Sequence, residues 1–328
     1  MKRKHILSRV ICVGIALCGC NAEKMVDASR VSSEEEEGPV MSEQKVKDVL
    51  KETPAELFVY DITDGELYIY GMYDSGLESL VIPNEIEGCP VTEFDANYIA
   101  DNGTIHTVVI PPNVTRLLCS FQNMDALETL LVQEGNARFT SRDAEGKECN
   151  AIMEKGSGTL VYGCRTSRIP EGVTNIGEYA FFVCAGLTEI ELPNTVTKIE
   201  DAAFSSTQLR RIEIPDSVTS LGGWAFSECY DLKEVALSEN ITEVQPYTFA
   251  DCESLKKIKI PEGVVRIGEG AFKDSALERI ILPKSLEVIE EDAFSGCDNI
   301  VIIAQDGSYA ETWAKENGYS VSDEQKEY

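Results

Sequence analysis

Phenylalanine recurs at intervals of 22 or 23 residues through the second half of the chain. This Phe column consists of Phe181, Phe204, Phe226, Phe249, Phe272 and Phe294. Proline keeps the same intervals, with one serine in its place, at Pro170, Pro193, Pro215, Ser238, Pro261 and Pro283. Two columns with one shared interval indicate an internal repeat. A period of this length predicts an elongated solenoid in which each turn buries its apolar side chains against its neighbours.

A single repeat indicates how one turn is arranged. Leu187, Ile190 and Leu192 have the spacing of a short strand, in which side chains alternate between the two faces. Pro193 has no N–H to donate, so the strand is expected to end beside it. The apolar residues that follow, as far as Phe204, return to the interior on the opposite, convex side. Each large side chain buried by stacking of the turns is worth about 1.5–3 kcal/mol.

Both ends of the solenoid have sequences suited to covering an open core. From Leu57 to Tyr73, apolar and polar residues alternate around Asp64-Gly65, which predicts an N-terminal β-hairpin cap. Residues 305–328 contain the stretch GSYAETWAKENGY, whose apolar residues recur at helical spacing up to Asn317-Gly318. This stretch predicts a short C-terminal helix cap.

The regular period is interrupted at residues 133–168. There the stretch CNAIMEKGSGTLVYGC places Cys149 and Cys164 symmetrically about a turn at 155–158, which predicts a hairpin insertion. The two cysteines would face each other across such a hairpin. Either a disulfide bond or two free thiols is compatible with this arrangement.

The complete repeat, C-x-x-L-x-x-I-x-I-P-x-x-V-x-x-I-x-x-x-A-F, resembles the BspA-type leucine-rich repeat of bacterial surface proteins. The resemblance extends from about Phe58 to Tyr319 and includes the first hairpin, the insertion and the helical end. It implies an α/β-type leucine-rich repeat solenoid over residues 56–304, with short parallel β-strands on one face and a mostly irregular convex side. Relatives of this type are implicated in attachment to host matrix proteins and to other cells, so the resemblance implies adhesion. The asparagine ladder of other leucine-rich repeats is absent, since the matching positions are Thr195, Ser217, Asn240, Gly263 and Ser285.

Residues 1–20, MKRKHILSRVICVGIALCGC, have the pattern of a secretory signal. Basic residues precede an apolar run, Val10 to Leu17, that is too short to cross a bilayer as a helix. The end of the run resembles a bacterial lipobox, which makes Cys20 the predicted lipid acceptor; an ordinary cleaved signal is the alternative. We therefore expect an extracytoplasmic, surface-exposed protein of the bacterial envelope, in contact with the membrane only through its lipid anchor.

Acidic residues outnumber basic ones by 57 to 29, which gives a formal net charge of −28. Nucleic acid is not an expected partner, because its phosphate backbone is negative as well. Residues 21–55 contain the run SSEEEEGP and too few apolar side chains to offset the entropy of folding. This segment is predicted to be a flexible acidic tether.

Four cysteines stand three residues after members of the Phe column, at Cys184, Cys229, Cys252 and Cys297. Cys229 and Cys252 would lie on adjacent turns about 4.7–4.9 Å apart, within reach of a disulfide by distance alone. The simpler interpretation is a column of small buried thiols, replaced around Ser206 and Asp274 in the other two repeats. A zinc site needs ligands that converge on one point, so neither a metal nor any other cofactor is predicted.

Catalysis by a histidine would have to use His106, which is the only histidine outside residues 1–20. No nucleophile motif accompanies it in GTIHTVVIP, and we interpret it as a surface residue. Because carboxylates are abundant, a glycosidase-like pair of catalytic carboxylates stays an alternative, although the sequence singles out no such pair. The prediction is a protein without catalytic activity.

Two exposed columns are candidate binding surfaces. The outward strand position is occupied by Glu189, Arg211, Glu234, Lys257 and Arg279, whose charges mostly alternate in sign. Such a column is either a charge ladder that sets strand register or a polar recognition face. The second column, here called the aromatic column, precedes the Phe column by two residues at Tyr179, Ala202, Trp224, Tyr247, Gly270 and Asp292. Its rings either anchor a sugar or protein partner or cover the core.

These features predict a non-catalytic, adhesin-like module that binds an extracellular protein or glycan. A passive scaffold that binds another envelope component is the first alternative. A carbohydrate-active enzyme is the second.

Overall fold

The structure is a computed structural model that describes residues 51–73, 76–95, 103–118, 121 and 124–322. The predicted signal with Cys20, and the predicted tether as far as residue 50, lie outside the described residues. Both therefore remain predictions.

The fold opens with the predicted hairpin. Strands β1 (Phe58–Thr63) and β2 (Glu66–Met72) are antiparallel. Between them Asp64 and Gly65 have φ angles of 55° and 85°, the left-handed conformation that a tight two-residue hairpin turn requires. Strand β2 also pairs in parallel with β5 (Cys89–Asp95), so the hairpin covers the first turn of the solenoid.

Folded structure begins slightly before the predicted tether boundary at residue 55. Thr53 is buried, and its N–H donates to the carbonyl oxygen of Val81 at 2.9 Å. The Thr53 hydroxyl accepts from the Val81 N–H at 3.0 Å, and a 3₁₀ turn follows at Ala55–Leu57. The polar composition of this segment did not predict the contact, because the contact depends on one threonine that bonds to both the N–H and the carbonyl of Val81.

The first turns of the solenoid are less regular than the later ones. Strands β3 (Ser79–Val81), β6 (Thr107–Ile110) and β8 (Thr129–Val132) pair in parallel. Strand β5 pairs in parallel with β7 (Arg116–Leu118) and antiparallel with β4 (Glu85–Ile86).

The insertion is a hairpin that becomes part of the solenoid. Strand β10 (Glu148–Glu154) pairs antiparallel with β9 (Phe139–Arg142) and with β11 (Thr159–Gly163). Strand β11 then pairs in parallel with β12 (Asn175–Ile176), the first short strand of the regular repeats. The insertion thereby supplies the surface on which those repeats stack.

Most regular turns carry short strands at two places, although the strand predicted at Leu187, Ile190 and Leu192 does not form. Strands of neighbouring turns pair in parallel, except that β15 does not pair with β17 and β16 does not pair with β18. The strands before the proline position are β14 (Arg211–Glu213), β16 (Glu234–Ala236), β18 (Lys257–Lys259), β20 (Arg279–Ile281) and β22 (Val301–Ile303). The strands after it are β12, β13 (Lys198–Ile199), β15 (Ser220–Leu221), β17 (Glu243–Val244), β19 (Arg266–Ile267) and β21 (Val288–Ile289). The predicted repeat solenoid is confirmed, with a second set of strands in addition to the expected one.

The Phe column forms the centre of the regular repeats. Consecutive rings lie parallel, with centroids 5.1–5.6 Å apart and interplanar angles of 4–9°. All six rings are buried. The column starts against Gly163, where an added β-carbon would lie 2.0 Å from the Phe181 ring, so glycine is required at that position.

The column ends against the predicted helical cap. Helix α1 (Tyr309–Glu316) is followed by β23 (Ser320–Ser322), which pairs with β22. Trp313 and Tyr319 both meet the Phe294 ring edge-on, with centroids 5.9 and 6.1 Å away. The Ser308 hydroxyl accepts from the Glu311 N–H at 3.2 Å and caps the helix.

Each regular turn has two residues in the left-handed conformation, four positions apart. The first is the aromatic column, with φ between 52° and 59°. The second is Val183, Ser206, Glu228, Asp251, Asp274 and Gly296. Between these two positions, every second backbone N–H donates to a backbone carbonyl of the next turn. In the first regular turn, the N–H groups of Tyr179, Phe181 and Val183 donate to the carbonyls of Asp201, Ala203 and Ser205 at 2.8–3.1 Å. Left-handed backbone costs about 1–2 kcal/mol per non-glycine residue, a cost that these bonds between turns offset.

Hydroxyl groups partly replace the missing asparagine ladder. The side chains of Thr195 and Ser285 donate to the carbonyls of Val173 and Val264 in the preceding turn, at 2.8 and 2.7 Å. Ser238, the serine in the proline column, donates to the carbonyl of Val218 at 2.6 Å. The interaction between turns is thus kept while the residue type changes.

Candidate functional site

Twelve positions on four consecutive turns form one exposed surface, here called the strand face. They lie on β14, β16, β18 and β20 or directly before them, and all are exposed except the half-buried Ile281. The strand face consists of Arg210, Arg211, Glu213, Lys233, Glu234, Ala236, Lys256, Lys257, Lys259, Glu278, Arg279 and Ile281. The intervening strand residues point inward, and Ile212, Ile258 and Ile280 are buried.

The strand face is positively charged on a strongly acidic chain. It carries seven basic and three acidic side chains, a net charge of +4, whereas the whole chain has −28. About a quarter of the 29 lysines and arginines of the chain thus stand on these twelve positions. Sequence reasoning missed this concentration because it followed one outward column. Counting three outward positions per repeat would have found it.

The predicted sign alternation along the outward column is only partly present. Arg211 is the register partner of Glu234, as a charge ladder requires. Lys257, however, is the register partner of Arg279, so two positive side chains are neighbours. Glu189 is exposed but lies outside the strands. The charge ladder is therefore present in the first pair and absent from the second, and the recognition face stays a prediction.

A depression of about 390 Å³ lies in the middle of the strand face. Its floor includes Val235 and Ala236, and the small Ala236 side chain leaves space between the longer side chains of the neighbouring turns. The charged side chains that line it are Arg211, Glu213, Lys233, Glu234, Lys257 and Lys259. The depression thus brings four cations and two carboxylates around an open space.

The aromatic column is organised by stacking between turns. Trp224 and Tyr247 lie parallel, with centroids 5.2 Å apart and an interplanar angle of 10°. A β-carbon on Gly270 would lie 2.4 Å from the Tyr247 ring, so that ring covers the Gly270 backbone. The Tyr247 hydroxyl donates to Glu269 at 2.7 Å, and this bond raises the pKa of Tyr247. Tyr179 instead meets the Phe182 ring edge-on at 5.4 Å.

This stacking favours the packing interpretation of the aromatic column. Trp224 is 47% exposed, yet one of its ring faces lies on Tyr247. Ala202 stands between Tyr179 and Trp224 in the column and is only 6% exposed. A sugar that stacks on an aromatic ring needs an open ring face. In this stack the Tyr247 ring contacts both Trp224 and the Gly270 backbone, and one face of the Trp224 ring is covered.

Cysteines three residues after the Phe column serve as hydrogen-bond donors. Their thiols donate at 3.2–3.3 Å to phenylalanine carbonyls of the preceding turn, Cys229 to Phe204, Cys252 to Phe226 and Cys297 to Phe272. Thr207 and Ser275 occupy this column in the other two repeats and contact the thiols of Cys229 and Cys297 at 3.3 Å. The sequence interpretation had placed these replacements one residue early. This position thus requires a small side chain that carries a hydrogen-bond donor.

Burial makes these thiols poor nucleophiles. It raises the pKa of Cys229 from 9.0 to about 11 and that of Cys252 well above 9.0. The column is therefore structural.

Cys149 and Cys164 are free thiols in the structure. Because Ala151 is the register partner of Gly163, the next step along the hairpin brings Asn150, rather than Cys149, beside Cys164. The Cys164 thiol donates to the Asn150 carbonyl at 3.3 Å, whereas the Cys149 sulfur contacts Arg168 at 3.2 Å. The symmetric spacing suggested a pairing that this register does not form.

His106 is exposed, and its Nδ1 lies 4.0 Å from a carboxylate oxygen of Glu128. Among the described residues, no group of three or more histidine, cysteine, aspartate and glutamate side chains is arranged to hold a metal ion. Within the same residues, no helix is long and apolar enough to cross a membrane.

The parallel-strand solenoid with a 22- or 23-residue period defines a leucine-rich repeat protein. Residues 163–275 match the BspA type leucine rich repeat region in six copies. These residues therefore carry BspA-type leucine-rich repeats, as the repeat motif predicted.

A solved structure shows the same fold, and a second one is also similar. A leucine-rich repeat protein from Eubacterium ventriosum ATCC 27560 is 20% identical, with a TM-score of 0.51 over 67% of this chain and 76% of that chain. A leucine-rich repeat protein from Bacteroides ovatus ATCC 8483 is 18% identical, with a TM-score of 0.43 over 78% of this chain and 70% of that chain. No curated protein matches the sequence significantly.

Proposed function

We propose that this protein is a non-catalytic binding module on the bacterial surface and that the strand face is its recognition surface. The observation that carries the proposal is the net charge of +4 on this face of a chain whose net charge is −28, with Lys257 and Arg279 as neighbouring positive residues. A positive surface of this kind is complementary to a negatively charged ligand. Candidate contact residues are Arg211, Glu234, Lys257 and Arg279.

The support under the strand face suits recognition. The side chains of Ile212, Ile258 and Ile280 are buried directly beneath the exposed residues, and parallel pairing joins β14 to β16 and β18 to β20. A ligand would meet side chains on a preformed backbone, so little ordering entropy opposes binding. This arrangement is typical of a binding module.

Attachment to the envelope is part of the proposal. The lipobox-like end at Cys20 supports diacylation there, and the BspA-type repeats support a location on the cell surface. Metabolic labelling with a radioactive fatty acid tests the anchor. Label in the wild type and none after Cys20→Ala supports lipidation, whereas equal label in both contradicts it.

The binding function is tested with an array of extracellular-matrix proteins and glycans at physiological salt, probed with the purified full-length protein. Saturable binding to at least one component is expected. An array without a hit would favour the envelope scaffold, which cross-linking in native cells would reveal as one specific co-purifying protein. Turnover of a glycan, lost on substitution of a single carboxylate, would support the carbohydrate-active enzyme instead.

A further inference from the structure

The charge of the strand face narrows the class of ligand. We propose that this face binds a linear anionic polysaccharide that carries carboxylate or sulfate groups along its length. The inference rests on the proposed binding function and specifies its ligand.

Cations recur along the direction in which the turns stack. Arg210, Lys233 and Lys256 occupy the same position on three consecutive turns, and Lys257 and Arg279 continue the positive surface onto the fourth. Strands β14 and β16, and strands β18 and β20, are paired at a spacing of about 4.7–4.9 Å, whereas β16 and β18 are neighbours that do not pair. A chain laid across the four turns still meets a cation on each of them. A linear polyanion fits this repeated arrangement better than a single small anion does.

The ion pairs of Lys256 and Lys259 leave both side chains accessible to a ligand. Lys256 lies 2.7 Å from Glu278, and Lys259 lies 3.7 Å from Glu239, but more than half of each side chain is exposed. Exposed pairs of this kind are worth about 0–1 kcal/mol, so a ligand that offers several negative groups can exchange with them. The face therefore retains its positive potential toward an approaching polyanion.

The carboxylates in the depression favour a polysaccharide over a polyphosphate. Glu213 and Glu234 line the same space as Arg211, Lys233, Lys257 and Lys259. Sugar hydroxyl groups can donate hydrogen bonds to these carboxylates, whereas a polyphosphate has no such donors along its length. A mixture of cations and acceptors is thus complementary to a chain that carries both anionic groups and hydroxyls.

A protein partner fits this face less well. Protein interfaces usually have an apolar centre with aromatic anchors. The only apolar residues of the strand face are Ala236 and Ile281, and it contains no aromatic side chain. A hydrated, charged ligand is therefore favoured.

The test measures binding of the purified full-length protein to four polymers: heparin, hyaluronate, neutral dextran and inorganic polyphosphate. We expect saturable binding to heparin or hyaluronate that weakens steeply as salt rises, because bound cations displace counterions from the polyanion. No binding to dextran is expected. Failure to bind either acidic polysaccharide, or tighter binding to polyphosphate, would overturn the proposal.

Charge reversal locates the surface. The double variant Lys257→Glu/Arg279→Glu should bind the polysaccharide at least about 10-fold more weakly, which corresponds to about 1.4 kcal/mol. The matched control is Lys147→Glu/Lys315→Glu, which makes the same charge change at exposed positions on the insertion and on helix α1. Equal losses in both variants would indicate a general charge effect and would overturn the assignment to the strand face.

The binding array separates this inference from the proposed function. If a matrix protein binds saturably while the acidic polysaccharides do not, the binding function stands and the polysaccharide assignment is wrong. If nothing binds in either experiment, both are wrong.

Discussion

Lys257 and Arg279 are register partners on the neighbouring parallel strands β18 and β20. Two positive side chains therefore stand beside each other on the exposed surface of a chain whose net charge is −28. Like charges at paired positions destabilise a sheet. This juxtaposition is expected on a surface that binds a negatively charged ligand, as proposed above.

Arg279→Glu should make the sheet more stable, because it places a negative side chain beside Lys257. The expected gain in the free energy of unfolding is about 0.2–1 kcal/mol, measured by urea denaturation at low salt. Raising the salt should reduce the gain, since these side chains are exposed.

The matched control is Glu234→Lys, which replaces the favourable pair with Arg211 by a like-charge pair. It should lower the free energy of unfolding by a similar amount. If Arg279→Glu destabilises the protein instead, then the arginine supports the fold, and its position beside Lys257 no longer indicates a ligand.

Phe249→Ala should strongly destabilise the protein, because the Phe249 ring is fully buried between the rings of Phe226 and Phe272. The expected loss is about 3–5 kcal/mol, measured by urea denaturation. Phe249→Leu keeps most of the volume and should lose less. Similar, small effects of both substitutions would show that the Phe column does not carry the core.

Gly270→Ala should destabilise the aromatic column, because the new β-carbon would displace the Tyr247 ring and the backbone is left-handed there. We expect a loss of at least about 1–2 kcal/mol in the free energy of unfolding. The control is Ala202→Gly, in the same column with φ of 52°, which removes a β-carbon and should cost less. An unchanged midpoint for Gly270→Ala would contradict the packing of Tyr247 over this residue.

The free energy of unfolding should decrease at alkaline pH, because the buried thiols ionise less readily in the folded state than in the unfolded state. Burial raises the pKa of Cys229 from 9.0 to about 11. Above pH 9 the unfolded state loses this proton while the folded state keeps it, so the free energy of unfolding decreases from about pH 9 to about pH 11. Cys229→Ser keeps a donor for the Phe204 carbonyl and should reduce this decrease. An identical pH profile for wild type and variant would show that Cys229 does not contribute.

The periodic part of the fold could be predicted from the sequence because every turn repeats the same packing. Phe204 and Phe226 occupy equivalent places, so one interval specifies the stacking of their rings. The hairpin around Asp64 and Gly65 followed from alternation and turn residues, and helix α1 followed from helical spacing.

Other features depend on contacts that the repeat period does not encode. The docking of Thr53 on Val81 depends on a single residue far from its partner in sequence. The register of the insertion separates Cys149 from Cys164 although their spacing is symmetric. The stacking of Trp224 on Tyr247 depends on the left-handed backbone at both positions, which the sequence pattern does not reveal.

The positive charge of the strand face could be predicted from the sequence once the strand positions were known. Three outward positions per turn carry it, and one column alone, from Arg211 to Arg279, shows a misleading alternation of sign. Recognition surfaces of repeat proteins extend over several turns, so the charge of the whole face is the informative quantity.

The most direct measurement compares two variants on whichever ligand binds the full-length protein saturably at physiological salt. Lys257→Glu/Arg279→Glu alters the strand face, and Trp224→Ala alters the aromatic column. We expect at least about 10-fold weaker binding with an unchanged melting temperature for the first. For the second we expect unchanged binding with a lower melting temperature, because it removes the stacking on Tyr247. The opposite result, binding lost in Trp224→Ala and kept in the charge-reversal variant, would contradict the strand face as the recognition surface.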